Sequence, residues 1–499
     1  MLKQRFVLQF GSQFGTRILG ILAGLIVARV AGPEVVGVLA FGTAYISIWG
    51  FITGLFGTGH IKLISEGKHL GNCLTTYAWL QLASILVFLL VLSGILSYQK
   101  FFLDHYFEST TQEYVIYILL AANVIDHVLN FGNITFTAKL EQAKANFPLV
   151  VKLVFFHGVR VLIVFLGFKA IGLATVNLIS SLLALPLAWR LLQRLKFGKF
   201  DRKLFKEHLH YALPIFLIVV VNSIMEYSDK LLLAYYSNTT ELGYYSAAFS
   251  IGGVFLLISN SVSWVFFPLF SSLIANEDWA AVNQKIRSFQ NFVAIFIFPM
   301  VCCLVIIGTP FIITLIGDKY QPSIIPFKIL LLATYVAILG MPYGEIINGM
   351  GRFYLNVVIN LICLAVFVIS IFFLLNPDYL GLGAVGIAIN LLIINLARNI
   401  LYLIISFRIG KITLNRGIVL PNVLVLVLTL IFMYYEPTLN GWWAWWWLAF
   451  GPVFVAMVYF LFYLLGFMKE KEIHNLLDIL NVKKLKSYII NEFNDREDS

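Results

Sequence analysis

Ten charged side chains stand within otherwise apolar stretches of this chain: Arg17, Arg29, Asp126, Lys152, Arg160, Glu226, Asp229, Lys230, Glu345 and Arg398, with His127 and His157 beside them. Each charge left facing lipid at a helix centre costs ~2.5–3.5 kcal/mol. The set together would cost on the order of 30 kcal/mol, more than the ~5–15 kcal/mol that holds a fold. These groups must therefore face a bundle interior or a wet cavity. Arg17, Lys152 and Arg160 have no carboxylate three or four residues away in their own helices, and a cationic cavity of this kind suits a phosphate or pyrophosphate, which arginine grips in bidentate fashion. Glu226 precedes Lys230 by four residues, the favourable order for a pair within one helix. Asp229 is left for an arginine of another helix, for a cation or for a packing salt bridge. Glu345, near Pro342, is a candidate proton or Na+ site, so coupling to an ion gradient stays open, and no cofactor is expected.

Polar residues at helical spacing extend the pattern. Asn123, Asp126, His127, Asn130, Asn133 and Thr137 recur at three- and four-residue steps on the fourth apolar segment. The first segment carries Gln9, Gln13, Thr16, Arg17 and Gly20, and the second Thr43, Ser47, Gly50 and Gly54. Such stripes line water or bond to a neighbouring helix. For the fourth segment as a whole the spacing favours a cavity.

The elements that must position these groups follow from composition. Of 499 residues, 60% are hydrophobic and 12% charged, against about 25% charged in a soluble domain, and the mean hydropathy is +0.89. About fourteen runs are long enough to cross a ~30 Å hydrocarbon core, the first starting near Leu8 and the last near Trp446. The fold class expected is an all-α integral membrane protein.

The chain also repeats itself. Ala28 to Ala40, containing Gly32-Pro33-Glu34 and Gly37, has an echo in Ala234 to Ser246, containing Glu241-Leu242-Gly243. Ala170-Ile171-Gly172-Leu173-Ala174 returns as Ala384-Val385-Gly386-Ile387-Ala388. Repeats at a similar shift and in the same order in membrane segments point to two pseudo-symmetric six-helix lobes, an architecture typical of alternating-access carriers. The expected divisions are a first lobe over 1–192, a basic linker over 193–210, a second lobe over 211–407, two further helices over 408–467 and a tail over 468–499, read as a helix on the inner surface.

Orientation is set by basic residues. With Met1 inside, roughly 25 of the 35 Lys and Arg fall on the cytoplasmic side. The heaviest loop runs from Arg190 to Lys206, whereas the joints Tyr236–Leu242, Asn376–Leu380 and Glu436–Gly441 hold no Lys or Arg. Both termini are thus expected inside. The same bias accounts for the net charge of +10 without nucleic acid as a partner. Lys3 and Arg5 before a long span read as an uncleaved first helix. Trp442, Trp443, Trp445, Trp446 and Trp447 read as an interfacial aromatic belt rather than a sugar-stacking platform.

Several chemistries are missing from the sequence. It contains no Gly-x-x-x-x-Gly-Lys-Ser/Thr loop, no Asp-x-Asp pair, no Cys-x-x-Cys and no His-Glu-x-x-His. Cys73, Cys302, Cys303 and Cys363 sit in or at apolar segments and suggest neither a disulfide framework nor a metal site. An enzyme is not expected.

An ordered set of motifs resembles bacterial Wzx-type polysaccharide flippases, in the superfamily that also holds MATE multidrug exporters and the peptidoglycan-precursor flippase. It begins with Arg17-Ile18-Leu19-Gly20, Ala28-Arg29 and Gly32-Pro33-Glu34-x-x-Gly37, and continues through Ala212-Leu213-Pro214, Asp229-Lys230 and Glu241 to Ala248. Gly317-Asp318-Lys319-Tyr320, Gly349-Met350-Gly351-Arg352 and Leu382 to Ala388 complete it, so it covers essentially Met1 to Phe407. The resemblance implies movement of a lipid-linked anionic oligosaccharide from the inner to the outer leaflet of a bacterial cytoplasmic membrane, for surface polysaccharide such as O-antigen. It implies a monomer among membrane lipids, in company with polysaccharide assembly proteins. Arg17 matches a first-helix arginine that the family uses for the anionic headgroup. A second arginine, one to two turns later in the peptidoglycan flippase, is replaced here by Ala23, which argues for another glycan. The alternatives are a cation-coupled multidrug exporter of the same fold and a membrane glycan polymerase or ligase.

Overall fold

Within lipid, backbone N–H and C=O groups find partners only inside a helix or a closed barrel, and the apolar runs of this chain resolve into helices. The computed structural model describes residues 2–102, 107–410, 412–434 and 442–468. The first lobe comprises α1 (Leu2–Ala31), α2 (Pro33–Ser47), α3 (Phe51–Gly54), α4 (Gly57–Ser65), α5 (Leu70–Phe102), α6 (Thr110–Ala138), α7 (Gln142–Phe165) and α8 (Ala170–Leu192). The second comprises α9 (Arg202–Tyr236), α10 (Thr239–Gly252), α11 (Leu256–Ala275), α12 (Trp279–Phe292), α13 (Phe298–Ile306), α14 (Gly308–Ile316), α15 (Ile324–Gly349), α16 (Phe353–Leu375) and α17 (Gly383–Gly410). Helices α18 (Val419–Tyr434) and α19 (Trp442–Leu464) follow. No strand occurs among the described residues. The tail expected to lie on the inner surface falls outside the described residues from residue 469 onward.

Ten helices are long and apolar enough to cross a membrane, or twelve if each of two bent pairs is one span. This makes the chain a multi-pass membrane protein, with fewer such passes than the fourteen expected. The two segments outside that count are α1 and the pass from Thr239 to Ala275. A 3-10 turn over Gly253–Phe255 splits the latter into helices of 14 and 20 residues.

Helix contacts repeat between the lobes. The pairs α6–α8, α1–α7, α7–α8 and α2–α6 of the first lobe have counterparts in α15–α17, α9–α16, α16–α17 and α10–α15 of the second. The sequence echoes fall where this symmetry places them, at the starts of α2 and α10 and of α8 and α17. At the first, Gly32 has φ of 86°, a conformation that glycine adopts without strain, and Pro33 follows at the first helical position, where its missing N–H costs nothing. The first-lobe core is built on Val35, Val38, Phe88, Leu92, Ile116 and Leu173. The second-lobe core holds Leu233, Phe327, Leu331, Ile338 and Ile387, and takes in Val425, Phe454 and Val458. Helices α18 and α19 therefore pack on the second lobe, where Trp447 donates to the Ile306 carbonyl (3.1 Å) while Trp445 and Trp446 stay exposed.

Between the lobes, Gly198 N–H donates to Gly71 O (2.9 Å), Lys199 N–H to Asn72 Oδ1 (3.1 Å) and Asp201 N–H to Thr76 Oγ1 (3.1 Å). The linker is thus tied to the first turns of α5. Asp201 then caps α9, which starts inside the stretch expected as linker.

Candidate functional site

The intramembrane charges gather at three places. The first is the seam between α1 and α7. Gly20 and Gly24 lie on the face of α1 that meets α7: a Cβ at Gly20 would stand 3.1 Å from His157 Nε2, and one at Gly24 would stand 3.6 Å from Arg160 Nη2. The room they leave admits the Arg160 side chain, whose Nη2 donates to Gly20 O (2.7 Å) and whose guanidinium lies 5.0 Å from the Phe156 ring. Arg160 Nε is buried without an acceptor. Arg17, one turn before Gly20 on the same face, is exposed and has no ion pair among the described residues. Arg160 thus occupies this seam, with Arg17 one turn earlier on the same face of α1, and neither has an ion pair among the described residues.

The second place joins α6, α7 and α8. Lys152 Nζ lies 2.5 Å from Asp126 Oδ2, and Ser181 Oγ donates to Asp126 Oδ1 (2.8 Å). Lys152 is therefore ion-paired, although no carboxylate stands three or four residues from it in its own helix. Its carboxylate is 26 residues away, on the neighbouring helix, where spacing within α7 cannot reveal it. Asn130 is exposed, His127 is buried edge-on to Phe88 with ring centroids 5.9 Å apart, and Asn133 donates to Ala145 O (3.0 Å). The polar stripe of α6 therefore divides between a free face and bonds to its neighbours.

The third place is a cavity of about 500 Å³ in the second lobe, between α9, α10, α15 and α17. It brings together five of the expected site residues: Glu226, Asp229, Lys230, Glu345 and Arg398. The expected pairing within α9 is replaced by another. Lys230 Nζ meets Asp229 Oδ1 at 3.3 Å and bonds to the backbone carbonyl of Glu226 instead of its carboxylate. Tyr245 donates to the other Asp229 oxygen (3.3 Å). Asn348 donates to Glu345 Oε2 (3.1 Å), and Arg398 Nε is buried without an acceptor. Asn395 and Asn399 line the same cavity and bind the α15 carbonyls of Ala333 (3.0 Å) and Val336 (2.6 Å). Their positions on α17 repeat every four residues, the only trace of them in the sequence.

Arg29 belongs to none of the three. It reaches the second lobe, donating to the carbonyls of Thr314 and Leu315 at the end of α14, where a cation meets the negative end of a helix. It joins the lobes at the expected outer side and is not among the residues that line the second-lobe cavity. Among the described residues no group of three or more His, Cys, Asp or Glu is placed to hold a metal ion.

The chain thus consists of two lobes of matching topology with charged side chains gathered in their interiors. Residues 26–325 match the family described as "Polysaccharide biosynthesis protein", and the chain belongs to that family. Among solved structures, it is similar to the lipid II flippase MurJ in an inward closed conformation, at 16% identity with a TM-score of 0.70, over 92% of this chain and 99% of that one. It is similar to a multidrug resistance MATE family transporter in its inward-facing conformation, at 16% identity with a TM-score of 0.64, over 79% of this chain and 95% of that one. A MATE family transporter in the outward-facing conformation gives 17% identity and a TM-score of 0.51, over 82% and 94%. At these identities the likeness is one of fold. Among curated proteins, none matches the sequence.

Proposed function

We propose that this protein is a carrier that moves a polyprenyl-pyrophosphate-linked oligosaccharide from the inner to the outer leaflet of the bacterial cytoplasmic membrane, for surface polysaccharide synthesis. The observation that carries this reading is the α1–α7 seam. Among the described residues Arg17 is exposed without an ion pair, and Arg160 has a buried Nε with no acceptor. An anion is the cheapest compensation for such groups at membrane depth, and a diphosphate offers oxygens in the geometry that a guanidinium fork accepts. The glycan follows the diphosphate through the protein while the polyprenyl chain stays in lipid. Family membership adds the context of polysaccharide synthesis. The chemistry asked of the protein is binding and release, which needs no catalytic group.

The test is surface glycan measured in cells whose own gene is deleted, complemented with Arg17→Ala or Arg160→Ala at matched expression. Loss of either guanidinium is expected to cut export roughly tenfold or more, as removal of a charge-assisted contact does, while Lys319→Ala at the surface leaves it unchanged. Undiminished export by both arginine variants would remove the diphosphate reading.

A second reading has its own support. Glu226, Asp229 and Glu345 share the second-lobe cavity, an arrangement that suits a cation: either a coupling H+ or Na+, or a cationic solute in a multidrug exporter. Cargo export that persists after collapse of both ion gradients would remove the coupling role.

A further inference from the structure

The two copies of the internal repeat touch each other. A Cβ at Gly37 would lie 1.7 Å from Thr239 O, and a Cβ at Gly243 would lie 1.9 Å from Pro33 O. Residues 33 and 239, and 37 and 243, are each 206 apart, so each glycine sits four residues after the residue whose carbonyl faces the other. The contact is reciprocal: α2 and α10 cross backbone against backbone at a local two-fold, a distance only glycine allows.

Polar bonds between the lobes flank this crossing on both sides. On one, Glu108, just before α6, accepts from Thr239 N–H (3.0 Å to Oε1, 3.1 Å to Oε2) and from Thr239 Oγ1 (2.6 Å). Thr239 opens α10, so a carboxylate of the first lobe caps a helix of the second, whose first N–H groups lack internal partners. Pro33 is the counterpart of Thr239 in the other copy and has no N–H to give. The carboxylate cap is therefore one-sided. On the other side, Tyr320 donates to Ala28 O (3.1 Å) and Arg29 to the end of α14. All these bonds lie at the same end of the molecule, where the loops carry little positive charge.

We propose that the Gly37–Gly243 crossing is the outer gate of the protein and that the bond from Glu108 to Thr239 is its latch. The crossing supplies a close fit with no directional bond of its own, and it parts without breaking a helix. The latch supplies charge-assisted hydrogen bonds that exist only while the lobes meet. Opening toward the outside requires Thr239 to leave Glu108, after which water satisfies both groups. The gate rests on the carrier reading for its purpose alone, since its state is read without any cargo.

Spin labels at Tyr98→Cys and Tyr379→Cys report the separation of the outer ends. Both sites are exposed, and the four native cysteines are buried away from the reagent. The purified full chain in lipid nanodiscs is expected to show a dominant short distance. Glu108→Ala should raise the longer-distance population roughly tenfold, the scale of losing hydrogen bonds to a charged group. Gly37→Ala should do the same or more, because its Cβ cannot coexist with Thr239 O. Gly94→Ala, whose Cβ meets open space, should leave the distribution unchanged. If Gly37→Ala does not fold, Glu108→Ala decides. An unaltered distribution in folded Glu108→Ala, or in folded Gly37→Ala, overturns the proposal whether or not the protein moves a lipid-linked glycan.

Discussion

Lys152 Nζ stands 2.5 Å from Asp126 Oδ2, joining α7 to α6 across the interior of the first lobe. The Ser181 hydroxyl of α8 completes the cluster, so three helices meet on one carboxylate. The pair is largely withdrawn from solvent, with side-chain exposures of 11% and 23%. Neutralising one member leaves the other charge unpaired at membrane depth, a change that costs about 3 kcal/mol or more. Asp126→Asn and Lys152→Met should each lower the thermal midpoint in detergent, and Asp126→Asn/Lys152→Met together should lower it by less than the sum of the two. Additive losses would show that the two side chains act independently and that the pair holds nothing together.

Arg29 and Arg160 are both membrane-depth arginines, yet their surroundings assign them different work. The Arg29 side chain is held by the carbonyls at the end of α14, whereas Arg160 keeps a buried Nε without an acceptor. Arg29→Ala should weaken the joint between the lobes and leave affinity for a diphosphate intact. Arg160→Ala should do the reverse. Binding of undecaprenyl pyrophosphate to each purified variant, followed by intrinsic fluorescence, checks the split: affinity should fall roughly tenfold for Arg160→Ala only. A matching fall for Arg29→Ala would place that side chain on the ligand.

What the sequence discloses and what it hides divide along a physical line. The repeat was legible because Gly37 and Gly243 must be glycine for the same reason in both copies, and a steric demand leaves a residue type at a fixed spacing. The charged residues of the second-lobe cavity were legible as a set because charge is costly in lipid wherever it stands. Partners were not. Asp126 for Lys152, Gly20 O for Arg160 and the end of α14 for Arg29 lie on other helices, and tertiary packing alone decides which faces meet. Lys230 shows that even a favourable i,i+4 spacing gives way when Asp229 is nearer and the Glu226 carbonyl is in reach. Glu108 is simply the residue before the N-cap Ser109 of α6. Nothing in the sequence marks it as the residue that reaches α10.

The charge asymmetry of the loops makes a prediction about orientation. Ser237 is exposed in a joint, Tyr236–Leu242, that holds no Lys or Arg, whereas the stretch from Arg190 to Lys206 is strongly basic. An impermeant maleimide applied to intact cells should label Ser237→Cys and not Lys196→Cys, and permeabilised cells should label both. Labelling of Lys196→Cys alone in intact cells would invert the orientation and move the proposed gate to the cytoplasmic side.

Helix α9 makes a prediction about how the lobes move. Its first turns are fastened to the first lobe: His208 stacks on His60 at 5.8 Å between ring centroids, Glu207 pairs with Lys68 at 3.4 Å, and Tyr211 lies under Lys62 at 4.1 Å. Its later turns pack on α16 and α17 of the second lobe as well as on α2 of the first, and the two parts meet at a bend of 50° between Arg202–Leu213 and Phe216–Tyr236. If the lobes rock, the first part should travel with the first lobe and the bend should take up the change. Spin labels at Glu66→Cys and Lys206→Cys should keep one distance in every condition. Labels at Lys206→Cys and Lys285→Cys, the latter exposed on α12 of the second lobe, should give two populations. Glu108→Ala should shift their ratio, because weakening the outer contact favours the state in which the inner ends approach. A constant distance between Lys206→Cys and Lys285→Cys, in vesicles that still transport, would exclude rocking about this helix. A second population between Glu66→Cys and Lys206→Cys would instead place the hinge in the linker.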